Sequence, residues 1–178
     1  MNLSKSFVIF ARQNADANEK IISLLDTLSN EDREKDRGSY YGSLSALVRH
    51  ILDGTRFLTS LLTKALASNG GAEKALSIMH GLPKTPEGAL SAEQWKALCG
   101  TIKEADAAYT SLTEALAESD LAASAEVPIY GGNPAAVPVA FMLQQLVAHN
   151  IHHRGQISQI FDSLKIDHNY SGISPAFL

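Results

Sequence analysis

The sequence predicts an all-α protein in which four long amphipathic helices pack around one core as a four-helix bundle. Apolar residues recur every three to four positions along four long segments, which is the period of an α-helix with one buried face. A single short segment ahead of the last helix is rich in proline, glycine and β-branched residues and predicts extended chain. The length of 178 residues suits one domain and is short for two, so residues 1–178 are predicted to form a single domain.

The first two helices flank a polar segment. The first is predicted over residues 4–28, where apolar side chains repeat on one face. The segment SNEDREKDRGSYYG then interrupts the apolar pattern. A second helix is predicted over residues 43–62, beginning at Ser43, because serine side chains often accept the first free backbone N–H groups of a helix.

The third helix has the clearest start signal. Residues 67–90 contain NGG, LPKTP and PEG and are predicted to be a long connection with room for one short helical piece. Ser91 followed by Gln94 three residues later is a capping box, so we expect the helix to begin there and to continue to Leu116.

The last helix follows the extended segment. AEVPIYGGNPAAVPVAF combines prolines with a Gly-Gly-Asn turn and predicts a short extended excursion, of which a short hairpin is one form, and not a helix. Helical periodicity resumes over residues 138–164, and the tail after it is predicted to be irregular.

Composition and charge exclude several classes of protein. The formal net charge is −4 and the basic residues are scattered, so the chain lacks the basic patch that nucleic-acid binding requires. The single cysteine, Cys99, excludes an intrachain disulfide framework and a cysteine zinc site, and we expect its thiol to be buried and inert. No apolar run is long enough for a signal peptide core or a membrane span, so a soluble cytoplasmic protein is predicted.

Three of the six histidines lie in the segment AHNIHHRGQ on the last helix. His149 and His153 are four residues apart and fall within the apolar stripe, so their rings project from one face with about 6 Å of axial rise between them. His152 points about 60° or more away from this face of the helix. The pair is either half of a metal site or a pair of hydrogen-bonded core histidines, and the spacing alone leaves both interpretations open.

A third ligand is available from the second helix. His50 lies at the edge of its apolar face, and neighbouring helices of a bundle can bring it opposite the pair. His80 and His168 are predicted to be solvated loop histidines. Three imidazoles without a carboxylate suit a divalent ion such as Zn²⁺, Ni²⁺ or Fe²⁺, and three protein ligands leave one coordination position open.

Five other polar residues are candidates for supporting the site. Asn14 and Asn18 lie four residues apart within the apolar stripe of the first helix, and they either orient a ligand histidine or substrate or tie the helix to a neighbour. Asp106, on the inner side of the third helix, is either an acid–base group or additional ligand, or part of a boundary salt bridge. Asp53 follows His50 by three residues and either hydrogen-bonds its ring or pairs with nearby arginines, while Gln156 is placed to reach the mouth of the site.

The pattern resembles the DinB/YfiT-like family of metalloenzymes. A lone histidine in GSLSALVRHILDGTRFL followed by HNIHHRGQIS on the last helix carries the resemblance, and FARQNADANEKI and VPIYGGNPAAVPVAFML extend it over nearly the whole chain. The most specific part is His-x-x-x-His followed by Arg-Gly-Gln. The resemblance implies a four-helix bundle, often dimeric, with a divalent metal on three histidines, which in this sequence are His50, His149 and His153.

Two functions are consistent with these observations. The first is a metal-dependent enzyme acting on a small molecule, since some members of the family resemble transferases or isomerases that use a low-molecular-weight thiol. The second is a non-catalytic metal-binding or stress-related interaction protein. A second apolar face on the last helix, which indicates deep burial or a homodimer contact, fits the latter; it comprises Leu143, Val147, Ile151 and Phe161. Neither function calls for a nucleic-acid or membrane partner.

Overall fold

The computed structural model describes residues 2–129, 131–170, 172 and 174–178, and these residues are mostly helical. Four of the helices are long, and the remaining elements are short or extended. In chain order the elements are α1 (Leu3–Leu25), α2 (Asn30–Glu34), α3 (Leu44–Ser60), α4 (Gly70–Gly81), α5 (Ala92–Ala115), α6 (Glu118–Ala122), β1 (Ser124–Val127), β2 (Ala135–Pro138), α7 (Val139–Leu164) and a 3-10 helix (Pro175–Phe177). This architecture confirms the prediction of an all-α protein.

The long helices pack in pairs. Helix α1 packs along α5, and α3 packs along α7. Contacts of α1 with α7 and of α3 with α5 join the two pairs, and apolar residues of all four helices share one core cluster. As a result, the two helices that carry the histidines of interest are direct neighbours.

Side-chain caps explain where two of the long helices begin. The hydroxyl of Ser43 accepts a hydrogen bond from the backbone N–H of Ala46 at 3.2 Å, and α3 begins at the next residue. At the start of α5 the Gln94 N–H donates to the Ser91 hydroxyl at 3.2 Å, and the Ser91 N–H donates to the Gln94 side chain at 2.8 Å. The predicted capping box is therefore confirmed, and it fixes the start of α5.

The end of the first helix differs from the prediction. Helix α1 ends at Leu25 instead of continuing to Leu28, and the polar segment that interrupts the apolar pattern contains the short helix α2. The Ser29 hydroxyl caps α2, and the buried guanidinium of Arg33 then donates hydrogen bonds to the backbone oxygens of Leu25 and Leu28. The Leu25 oxygen also accepts from the Leu28 N–H at 3.1 Å, and the two Arg33 bonds tie α2 to the backbone at the end of α1 and just after it.

The connection over residues 67–90 contains one full helix, α4. Its N-cap is Asn69, whose side chain accepts a hydrogen bond from the backbone N–H of Ala72. Leu76 and Met79 are buried, and the helix packs along α5. The expectation that His80 lies in a loop is wrong, because this packing extends the helix through His80, which is exposed in its last turn.

The extended segment predicted before the last helix is a β-hairpin, one of the forms expected for it. Strands β1 and β2 pair antiparallel, with Ala125 opposite Val137. The N–H of Val139 then donates to the backbone oxygen of Ala123 at 2.8 Å. The hairpin therefore fixes the point at which α7 enters the core.

The second apolar face of α7 divides into a buried and an exposed part. Leu143 and Phe161 are fully buried, so they belong to the core. Val147 is partly buried and Ile151 is 57% exposed. Within the described residues, no helix combines the length and the apolar character needed to cross a membrane.

Candidate metal centre

The structure brings His50, His149 and His153 together from two helices. The Nε2 atom of His50 lies 3.0 Å from that of His153 and 3.1 Å from that of His149. One ring nitrogen from each histidine lies within 4.8 Å of the others. His50 comes from α3 and the other two from adjacent turns of α7, so the packing of these two helices creates the cluster.

The spacing of the three nitrogens fits one divalent ion. Imidazole nitrogens bind zinc at about 2.0–2.1 Å, and two nitrogens at that distance from a common ion are able to lie about 3 Å apart. The observed separations of 3.0 and 3.1 Å match this requirement. The residues present therefore fit a metal ion.

Hydrogen bonds on the opposite side of two rings direct the free nitrogens toward the centre. His149 Nδ1 lies 3.2 Å from the side-chain oxygen of Asn150, and His153 Nδ1 lies 2.8 Å from that of Gln156. Since an amide oxygen only accepts, each Nδ1 carries the proton and each Nε2 has a free lone pair. His50 Nε2 either donates to one of these lone pairs or itself accepts from Tyr41 and donates to neither, so hydrogen bonding among the rings leaves at least one lone pair unsatisfied in both tautomers. A cation satisfies all three nitrogens, which favours a metal site over a structural histidine pair.

The surroundings of His50 and His153 favour the neutral form of these two rings. Burial is the main cause that lowers the pKa of His50 to about 4, and repulsion of a positive charge by His153 and His149 contributes to the same shift. Burial also lowers the pKa of His153, although its hydrogen bond to Gln156 acts in the opposite direction. Both rings are therefore neutral at neutral pH, as metal ligation requires.

A glycine on α3 provides the space for one of the rings. Gly54 lies one turn after His50, and a Cβ atom at this position would be 2.1 Å from Cε1 of His149. Any other residue would displace either the ring or the helix. The position of His149 beside His50 therefore depends on Gly54.

Tyr41 is a component of the site that sequence reasoning missed. Its hydroxyl lies 2.8 Å from His50 Nε2, and its ring stacks on His50 with a centroid distance of 4.0 Å. The Tyr41 ring also meets the His153 ring edge-on at 5.4 Å. Tyr41 precedes α3 and belongs to no helical face, so periodicity gave no signal for it.

A buried hydrogen-bond chain connects His149 to the interior. Asn150, which is fully buried, accepts from His149 and donates to the side-chain oxygen of Asn14 at 3.1 Å. Asn14 donates in turn to the Asp106 carboxylate at 2.9 Å. Arg154 also donates to Asn14, at 2.5 Å. Sequence reasoning missed Asn150 because it is polar and lies between two histidines in the segment.

Asn18 and Asn14 both hydrogen-bond the Asp106 carboxylate and the Arg154 guanidinium, and so link these two groups. The Asn18 side-chain amide donates to both oxygens of Asp106 at 3.0 Å, and its oxygen accepts from Arg154 at 3.3 Å. Burial raises the pKa of Asp106 to about 7, against the opposing effects of Asn18, Arg154 and Asn14. Asn14 and Asn150 separate Asp106 from His149, so Asp106 lies behind the histidine cluster and outside the ligand group.

Three other residues are not among the clustered histidines, although one of them, His152, contacts the cluster, since its ring meets the His153 ring edge-on at a centroid distance of 4.8 Å. Asp53 is exposed on α3 and, among the described residues, makes no hydrogen bond to a histidine; burial raises its pKa, while Arg49 and Arg56 lower it. His152 is exposed. Cys99 is partly buried, and burial raises the pKa of its thiol to about 12, in agreement with an inert thiol.

A cavity of about 740 Å³ lies between α1 and α5. Asp106 and Cys99 contribute to its lining, and none of the three clustered histidines does. A molecule in this cavity would therefore contact the partly buried Asp106 carboxylate and none of the clustered histidines.

Comparison with known proteins identifies the family. The model of the DinB family matches residues 1–164, which includes all three clustered histidines. Neither the curated proteins nor the solved structures gave a match. The match covers most of the chain, and the chain therefore belongs to the DinB family.

Proposed function

We propose that this protein is a divalent-metal-dependent enzyme that acts on a small molecule, as a transferase or isomerase using a low-molecular-weight thiol. His50, His149 and His153 are the proposed metal ligands. The observation that carries the proposal is the approach of their Nε2 atoms to 3.0 and 3.1 Å, with the Nδ1 atoms of two rings bonded to amide oxygens. Such outer partners commonly orient ligand histidines in metal sites.

The donor set suits Zn²⁺, Ni²⁺ or Fe²⁺, since neutral imidazole is a favourable ligand for these ions and a poor one for Mg²⁺ or Ca²⁺. Three protein ligands leave a position for an exogenous ligand. A bound ion would lower the pKa of a water molecule or a thiol at that position. Asn150 and Gln156 hold two of the rings in the required orientation.

The proposed thiol is a separate small molecule. The only cysteine of the chain is Cys99 on α5, and a pKa of about 12 leaves very little of its thiol ionised at neutral pH. It lines the cavity between α1 and α5, apart from the histidines. A thiol cosubstrate would thus have to enter from solvent, and the partial exposure of His50 and His149 supports such access.

A second candidate is a non-catalytic metal-binding protein that acts as a homodimer. Exposed apolar side chains favour it: Phe141 and Ile151 on α7 are 53% and 57% exposed. Ile151 also lines a groove between α1 and α7 together with Phe10 and Val147. Apolar surface of this kind is typical of subunit contacts.

We also propose that α1, α3, α5 and α7 form the four-helix bundle expected from the sequence. The packing of α1 along α5 and of α3 along α7, with cross-contacts between the pairs, supports this arrangement.

Metal analysis of the purified protein tests the site. We expect stoichiometric divalent metal in the wild type and a large loss in His50→Ala, His149→Ala and His153→Ala. His152→Ala is the matched control, since this exposed neighbour lies outside the cluster, and it should retain metal. If none of the three variants loses metal, the proposed site is wrong.

A second experiment separates the enzyme from the binding protein. A panel of small thiols would be assayed with electrophilic substrates. If the protein is an enzyme, we expect turnover, and we expect it to be lost in parallel with metal across the three variants. If it is a non-catalytic metal-binding protein, we expect bound metal without turnover. We also expect a dimer, which light scattering should show converted to a monomer by Ile151→Asp.

A further inference from the structure

The Tyr41 hydroxyl is a hydrogen-bond donor at the edge of the histidine cluster. It lies 2.8 Å from Nε2 of His50, the nitrogen that also faces His149 and His153. In the part of the chain that the structure describes, this nitrogen is its one hydrogen-bond partner. The hydroxyl and the proposed ion therefore compete for the same lone pair.

A bound ion would remove the acceptor that Tyr41 now uses. The lone pair of His50 Nε2 would be directed to the ion, and the Nε2 lone pairs of His149 and His153 would be used in the same way. The hydroxyl would then be a donor without an acceptor beside the coordination sphere. Tyr41 is only partly buried, so water could accept this hydrogen bond, but an anionic atom carried by the ion would be the stronger acceptor at the same place.

The position of Tyr41 is fixed by its surroundings. The N–H of Gly42 donates to Ser39 at 2.9 Å in a tight turn, and the N–H of Arg37 donates to Gly42 at 2.9 Å. Gly42 has a φ angle of +79°, which favours glycine at this position. The turn and the stacking on His50 thus hold the hydroxyl at the site before any ligand binds.

We propose that Tyr41 donates a hydrogen bond to the negatively charged atom of an exogenous ligand at the open coordination position. This proposal rests on the three-histidine metal site. The ligands it selects are small anions with a strong acceptor next to the ion, such as a thiolate, a carboxylate or hydroxide. Tyr41 therefore stabilises the anionic form of the ligand and favours it over neutral molecules of similar size.

Cobalt-loaded protein tests this role, with azide and 2-mercaptoethanol as probes. Cobalt stoichiometry is measured first, and each probe is then titrated by following the visible absorption of the bound cobalt. Tyr41→Phe removes only the hydroxyl and retains the stacked ring. Tyr40→Phe is the matched control, because its ring contacts Tyr41 at a centroid distance of 5.0 Å while the residue is 92% exposed.

We expect Tyr41→Phe to bind cobalt as the wild type does and to bind azide and the thiolate about tenfold or more weakly, which is the effect of one hydrogen bond to a charged acceptor. Tyr40→Phe should retain wild-type affinity for both probes. Retained cobalt also shows that the variant is folded around the cluster.

The outcomes that overturn the proposal differ from those that overturn the metal site. Unchanged probe affinity in Tyr41→Phe excludes the hydrogen bond, and loss of cobalt from that variant makes the hydroxyl a metal ligand instead. Cobalt-loaded wild type that binds neither probe contradicts an open position. A wild-type protein that binds no cobalt refutes the three-histidine site itself, before any probe is added.

Discussion

The imidazole of His149 occupies the space that a side chain on Gly54 would need. A Cβ atom at position 54 would be 2.1 Å from Cε1 and 2.6 Å from Nε2 of His149, closer than any real Cβ contact. His50 lies one turn before Gly54 on the same helix. Because Gly54 has no side chain, the His149 ring can pack against the surface of α3 close to His50, which α3 itself carries.

Gly54→Ala should lower metal affinity at least tenfold, because the added methyl group displaces the His149 ring from His50. Alanine favours a helix interior over glycine by about 1 kcal/mol, so propensity alone would stabilise the variant. A competitive zinc titration with a chromophoric chelator measures the affinity, and thermal unfolding measures the stability.

Gly100→Ala is the matched control for this substitution. Gly100 lies within α5, and a Cβ atom there would meet nothing within 4 Å. We expect wild-type metal affinity and a gain of about 0.5–1 kcal/mol in the free energy of unfolding. Wild-type metal affinity in Gly54→Ala would show that the His149 ring is not needed where the structure places it.

Gln156→Leu should weaken metal binding about 10–100-fold, the usual effect of removing the partner of a ligand histidine. The substitution deprives His153 Nδ1 of its acceptor at 2.8 Å and frees the ring to adopt the other tautomer. The same zinc titration measures the effect. Gln159→Leu, at an exposed position of the same helix, should leave the affinity unchanged; an equal loss in both variants would point to a general disturbance of α7.

Asn150→Ala should destabilise the fold by about 1–3 kcal/mol, because it leaves Nδ1 of His149 without its acceptor and removes one of the hydrogen bonds to the Asn14 oxygen, which Arg154 also donates to. Urea denaturation followed by circular dichroism measures the free energy of unfolding, and a zinc titration should show weaker binding. Asn169→Ala, an exposed asparagine, serves as control and should change neither quantity. A stable Asn150→Ala variant would mean that water replaces the amide.

Asp106 predicts a pH dependence of stability. Burial raises its pKa from 3.8 to about 7 in the folded chain. Between these values the folded chain binds more protons at this site than the unfolded chain, so the contribution of Asp106 to stability falls as the pH rises. That contribution is complete below about pH 4 and is lost as the pH passes through about 7.

Comparison with Asp106→Asn isolates this effect from other titrations. The difference in the free energy of unfolding, wild type minus variant, should decrease from about pH 4 to about pH 7 and level off above it. Urea denaturation over this range measures the difference. An increase with pH would mean that Asn18 and Arg154 already hold the carboxylate ionised in acid solution.

The sequence predicted those elements that depend on local chemistry. Ser91 and Gln94 predict the start of α5, and the prolines and glycines before α7 predict the extended segment that forms the hairpin. Where α1 ends early and α2 forms, the side chain of Arg33 donates to carbonyl groups five and eight residues earlier in the chain. Such a bond forms only when the chain turns back on itself, and residue spacing does not encode it.

For the candidate site, the sequence by itself determined that His149 and His153 share one helical face, because the α-helical period fixes the direction of residues four positions apart. It also indicated His50 as a third ligand, because His50 lies at the edge of an apolar helical face and the sequence resembles a family with a three-histidine site. Only the tertiary structure decided that the three Nε2 atoms meet, that Gly54 makes room for a ring, and that Tyr41 joins from a loop. Those relationships depend on how α3 packs along α7, and contacts between distant segments are set by the fit of whole surfaces and not by local periodicity.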